Sequence, residues 1–166
     1  MTTHLWEQTR ALHHACEAHS VGSAMASGNP PEQWYADWLS SLLEIHTVID
    51  KHANSEICRV ERLKKDLDQL VKPRQLQVAK QYASGLKTEQ DIAGATYVLL
   101  GAHLMGGEVM RRKLYRNFPT LHLEWNDRKT ALNELIKIKD REDIVEEAKN
   151  CFYALLNVMN EIESSR

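Results

Sequence analysis

Thr9, His13 and Glu17 recur every four residues, so a helix drawn through them sets all three on one face. A neutral imidazole can ligate a metal through one ring nitrogen when an acceptor holds the other N–H and fixes the tautomer. Glu17, one turn beyond His13, is of the right type. The same spacing also describes an ordinary His–Glu contact on a solvated helix, and spacing alone leaves both readings open. A second group stands in Tyr97-Val98-Leu99-Leu100-Gly101-Ala102-His103-Leu104-Met105-Gly106-Gly107-Glu108-Val109-Met110, which reads as helix despite Gly101, Gly106 and Gly107, with Gly94 just upstream. Each glycine inside a helix costs about 1 kcal/mol relative to alanine. Several together imply a backbone that something approaches closely, either a ligand or another helix.

Other chemistries lack their residues. The eight histidines form no HExxH, no ExxH pair and no Cys/His finger. No GxSxG elbow, phosphate-binding loop or dinucleotide fingerprint occurs. Cys16, Cys58 and Cys151 are odd in number and widely spaced, as expected of reduced, packed thiols in a cytoplasmic protein. A net charge of -2 gives no electrostatic case for nucleic acid or an anionic membrane. No secretory leader is expected from the first residues, and no apolar run approaches membrane-spanning length.

The elements that must carry these residues read as helices with short breaks. Thr2 or Thr3 can cap a first helix to about His19, and residues 20–23 and 27–30 punctuate the link to a second. Pro30 and Pro31 signal the start of that helix, with Tyr35, Trp38, Leu39, Leu42, Ile45 and Ile49 at helical spacing. A third is expected over residues 61–70, ended by Pro73, and a short one over residues 74–84. The glycine-bearing helix starts near Thr88 and finishes in Arg111, Arg112 and Lys113, the charge its dipole favours there. Residues 125–137 and 140–162 complete the chain, the latter with Ile144, Ala148, Cys151, Phe152, Leu155 and Met159 inward. No segment alternates like a strand. At 166 residues the expectation is one all-α domain over 1–166.

Four segments in order then resemble the heme oxygenase family. Thr9-Arg10-Ala11-Leu12-His13-His14-Ala15-Cys16-Glu17 is similar to the family's N-terminal T-x-x-x-H-x-x-A/C-E pattern. The glycine helix resembles the distal helix that lies over the heme plane. Glu146-Glu147-Ala148-Lys149-Asn150-Cys151-Phe152 is similar to an E-E-A-K-x-A-F run, and Leu63-Lys64-Lys65-Asp66-Leu67 to a looser L-x-x-D-L element. The resemblance spans nearly the whole chain and implies a single-domain, heme-oxygenase-like helical bundle.

It further implies a role for each matching position. His13 falls at the proximal iron ligand and Glu17 at its hydrogen-bond partner. Arg10 and Lys149 fall at basic positions facing the heme propionates, with Tyr97 near the same edge and Tyr153 in the cofactor-binding set. Gly101, Gly106 and Gly107 would let the distal backbone touch the porphyrin, and His103 joins them in the catalytic set. The implied reaction is oxygen-dependent cleavage of heme to biliverdin with release of iron and carbon monoxide. Heme is then cofactor and substrate at once, and electrons come from an external reductase of ferredoxin, flavodoxin or other type.

The sequence also departs from the pattern. His103 stands at or beside the position of an aspartate that anchors distal water in many members, and Ala102 replaces a glycine or serine. Met105 occupies a position often held by Ser or Gly. His103 can point away from the iron, or donate through water, and support turnover; alternatively it can reach the iron as a sixth ligand and make the chain a non-catalytic heme sensor or carrier. A third use of the same fold, as a thiamin-salvage-type hydrolase or a di-iron oxidase, would want a pocket cysteine such as Cys16 or Cys151, or a cluster of carboxylates and histidines.

Overall fold

The computed structural model describes residues 3–165, and all of its regular structure is helical. Helix α1 (His4–Ala18) starts where the Thr3 hydroxyl accepts the Trp6 N–H at 3.1 Å; Thr2 lies outside the described residues. His19 ends α1 with ψ 144°, and its Nδ1 accepts the Val21 N–H, which starts α2 (Ser20–Ser27). The expected linker at residues 20–23 is therefore helix. A histidine cap replaces the break that the serines suggested. Gly28 ends α2 at φ +83°, in the left-handed region, with the place of a Cβ only 2.7 Å from Lys113. This turn lets α2 lie against the end of the glycine-bearing segment.

Helix α3 (Glu32–Ile49) comes directly after the two prolines and buries Tyr35, Leu39, Leu42, Ile45 and Ile49 as its period requires. Helix α4 (Val60–Leu67) is shorter than expected, and α5 (Val78–Ser84) begins four residues late. The reason is Asp37, fully buried on α3. Its carboxylate accepts the Arg74 backbone N–H at 2.8 Å and the Arg74 Nε–H at 2.6 Å. Arg74 Nη2 also donates to the Ile162 carbonyl at 3.0 Å, so this stretch is held extended between α3 and the last helix. Glu161 then accepts the N–H groups of Gln77 and Val78 and sets where α5 starts.

Thr88 and Asp91 form a reciprocal capping box at the start of α6 (Glu89–Gly101). A π-helical turn, Ala102–Gly106, comes next, and α7 (Gly107–Leu114) continues to the expected basic last turn. Helix α8 (Arg128–Ile136) begins three residues late because Asp127 is its cap, while Trp125 is stacked under the Arg59 guanidinium at 3.9 Å. Helix α9 (Val145–Ser164) buries the predicted stripe from Ala148 to Met159. Residues 140–143 lie outside it, held by Arg141 between Glu89 and Asp143. Helix α9 is the central post. It packs against α6, α1, α5, α3 and α2. Gly94 allows the closest of these crossings, since a Cβ there would stand 2.6 Å from Glu147 Cβ and 2.7 Å from its carbonyl carbon.

Candidate functional site

The site grows from the contact between α1 and α6. The Thr9 hydroxyl is buried and donates to the Leu5 carbonyl at 2.8 Å, a back-bond that leaves an acceptor on the same oxygen. Tyr97 hydrogen-bonds to that side chain, and burial raises its phenol above the usual range. His13 lies one turn beyond Thr9, and Gly101 one turn beyond Tyr97. Each is therefore within about 6 Å along its helix of a shared contact. The Thr9–Tyr97 contact joins the two segments that the sequence singled out independently.

On α1, His13 Nε2 pairs with the Glu17 carboxylate across one turn, with the histidine side chain 33% exposed. Its ring meets Trp6 edge-on at 5.3 Å between centroids and buried Phe152 of α9 at 6.1 Å. These contacts orient the imidazole and leave part of it uncovered. Arg10, exposed, stands about a turn before His13, and Lys149, half-buried, about a turn before Phe152. Both cations thus flank the His13–Phe152 contact. Tyr153 presents a 52% exposed ring on the same helix.

The glycine segment divides into two faces. Ala102, Met105, Gly106 and Val109 are exposed, Met105 by 67% and Val109 by 58%. A Cβ built on Gly101 or Gly106 would meet nothing within 4 Å. These glycines are not required by packing, unlike Gly94. Gly107 differs, because a Cβ there would press on Leu123 at 3.3 Å; it serves the inner face. The outer face is an apolar stripe with its backbone bared, matched in type to a flat apolar ligand. The π turn that shapes it is held from behind: Gly107 N–H bonds to the Ala102 carbonyl, and Arg128 donates to the Leu104 carbonyl at 3.1 Å.

His103 is on the inner face, 6% exposed. Its Nε2 stands 3.2 Å from His46 Nε2, and His46 Nδ1 pairs with Asp50 at 2.9 Å. His122 lies beyond, its ring 6.1 Å from that of His103, with Nδ1 on buried Asp66 at 2.7 Å. Burial first, then His46, His122 and Arg59, hold His103 well below the ordinary histidine range. Burial also lowers His122, although Asp66 opposes it. A cavity of about 10 Å³, room for one water, is lined by His46, Asp50, Thr96 and His103. A larger open groove of about 660 Å³ lies away from His13, between Glu32, Asp66, Arg111 and Tyr115.

Of the predicted site residues, His13 and Glu17 pair at the α1–α9 contact, with Arg10 and Lys149 about a turn away along the same two helices; Tyr97 reaches Thr9, Tyr153 is exposed on α9, and Gly101 and Gly106 have open space where a side chain would stand. Gly107 and His103 point inward. The inner cluster of His46, Asp50, His122 and Asp66 was not anticipated, although His46 and Asp50 have the same four-residue spacing as His13 and Glu17. Among the described residues, no group of three or more histidine, cysteine or acidic side chains is arranged to hold a metal ion. The thiols do not look like nucleophiles: burial raises Cys16 to about 11 and Cys151 to about 12. No described helix is long and apolar enough to cross a membrane.

Solved structures share this arrangement of helices, two heme oxygenases among them. Heme oxygenase-1 from the cyanobacterium Synechocystis, in complex with heme, superposes with a TM-score of 0.79 at 18% identity, covering 96% of this chain and 90% of that one. Heme oxygenase from Leptospira interrogans gives a TM-score of 0.79 at 18% identity, covering 95% and 97%. No protein-family model and no curated protein matches the sequence. The likeness establishes the fold: this chain has the all-helical architecture of the heme oxygenases.

Proposed function

We propose that the protein is a heme-degrading oxygenase, which converts heme to biliverdin with release of iron and carbon monoxide, using molecular oxygen and electrons from a separate ferredoxin- or flavodoxin-type reductase. One observation carries the reading. Gly101 and Gly106 bare an exposed apolar helix face with open space where side chains would stand, and Gly101 lies about a turn beyond Tyr97, whose partner Thr9 is a turn before His13. The shared fold with a heme complex supports it.

Bound heme supplies the iron that activates oxygen and the ring that is consumed. The chain's own residues do the rest. With His13 Nε2 held by Glu17, the other ring nitrogen would be the one offered to the iron. Phe152 and Trp6 hold the imidazole plane. Arg10 and Lys149, about a turn from His13 and Phe152 along their helices, would make charge-assisted bonds to the carboxylates at one edge of the macrocycle. Met105, Val109 and Tyr153 give apolar surface for its faces and rim. The His103 ring is engaged with His46 on the inner face, which disfavours the alternative of a sixth iron ligand.

Adding hemin to the purified protein and then a ferredoxin system under air tests this reading. A Soret shift and then growth of a bilin band are expected. A shift with no decay under reducing conditions points to a carrier instead, and no shift at all removes the heme reading.

A further inference from the structure

We infer that His46 and His103 form a one-proton store behind the glycine face, charged and discharged through His103 Nδ1. Their Nε2 atoms approach to 3.2 Å and can hold only one proton between them. Asp50 decides the resting arrangement. Its carboxylate accepts from His46 Nδ1, so a neutral His46 has a lone pair at Nε2. His103 must then donate from Nε2, leaving Nδ1 as an acceptor.

Adding one proton reverses the pair. When His103 Nδ1 takes a proton from water, the Nε2 proton moves across to His46. His46 becomes an imidazolium beside Asp50, and His103 stays neutral with its N–H now at Nδ1. Discharge is the reverse: His103 gives the Nδ1 proton to an acceptor and takes the Nε2 proton back from His46. One proton enters or leaves, and no other group changes charge.

The surroundings favour the charge on one partner of the pair. Asp50 also accepts the N–H groups of Arg59 and Val60, at 2.7 and 3.0 Å, so its carboxylate is pinned in place. Fully buried Arg59 and His122, whose own proton is committed to Asp66, face His103 from the other side and oppose a positive charge on it. A cavity of about 10 Å³ lined by His46, Asp50 and His103 adjoins the pair. The store's use in oxygen chemistry rests on the proposed function: His103 belongs to the π turn whose opposite, exposed face carries Gly106.

Imidazole nitrogen-15 spectra of the protein without hemin read the store directly. At about pH 8, His46 should carry its N–H at Nδ1 and His103 at Nε2. On acidification, His46 should gain a second N–H in the same step in which His103 switches to Nδ1–H. In Asp50→Asn that step should move to lower pH by about one unit or more, as a neighbouring carboxylate no longer favours the charged form. Independent titration of the two rings, or a His103 tautomer that never switches, overturns the inference. With hemin bound, His46→Phe should lower bilin formation about tenfold and change its pH profile, a smaller loss than that of a group that transfers the proton to the reacting atoms itself. An unchanged profile would show that turnover does not draw on the store. If no variant forms bilin, the oxygenase reading fails, and the spectra still decide the store.

Discussion

The Nε2 atoms of His46 and His103 face each other at 3.2 Å in the core, so His103 is fixed by a partner 57 positions earlier in the chain. That relationship separates the two faces of the glycine segment. The inner face packs Leu104 in an apolar cluster and hydrogen-bonds His103, while the outer face is apolar and bare.

The buried histidines make stability depend on pH. Both His103 and His122 are held below the ordinary value in the folded protein. In the unfolded chain they take up protons below about pH 6.5, so unfolding binds protons and stability rises with pH. The loss therefore begins near that value and deepens as pH falls toward the depressed folded values. Urea denaturation should show roughly 1 kcal/mol less stability at mildly acidic pH than at neutral pH. A midpoint independent of pH across this window contradicts the buried neutral cluster.

Arg74→Met leaves the fully buried Asp37 carboxylate without its cation. Breaking such a pair from one side should cost about 3 kcal/mol. The helix start at Val78 should loosen with it, visible as faster amide exchange at Gln77 and Val78. Equal stability of variant and parent would show that Asp37 is satisfied by its neighbours alone.

Two glycines should respond in opposite directions. Gly94→Ala forces a methyl against the backbone of Glu147 and should destabilise by about 2 kcal/mol, as overpacking does. Gly106→Leu meets open space, improves helix propensity and should leave the melting temperature unchanged or raise it. The same leucine should abolish hemin binding by filling the cleft. Hemin titration beside thermal melts checks both at once, and a Gly106→Leu variant that binds hemin normally moves the ligand off this face.

Much of this was legible in the residues, because periodicity reports which face of a helix is buried. The stripes of α3 and α9 follow from Tyr35, Leu39, Leu42 and from Ala148, Cys151, Phe152 at helical spacing. The His13–Glu17 pair and the open glycines were visible for the same local reason. Long-range partners were not. Arg74 looked like the start of a helix until Asp37 held it extended, and residues 20–23 looked like a linker until His19 capped them. For His103 the residues left two directions open, away from the iron or toward it, because a helical wheel at ordinary pitch does not foresee a π turn or the pull of His46.

The central claim is that His13 holds the iron, and resonance Raman spectroscopy of the ferrous heme complex tests it most directly. The account predicts an iron–histidine stretching band in the parent, absent in His13→Ala, restored by added imidazole and retained in His103→Ala. A band that survives in His13→Ala, or disappears in His103→Ala, contradicts it.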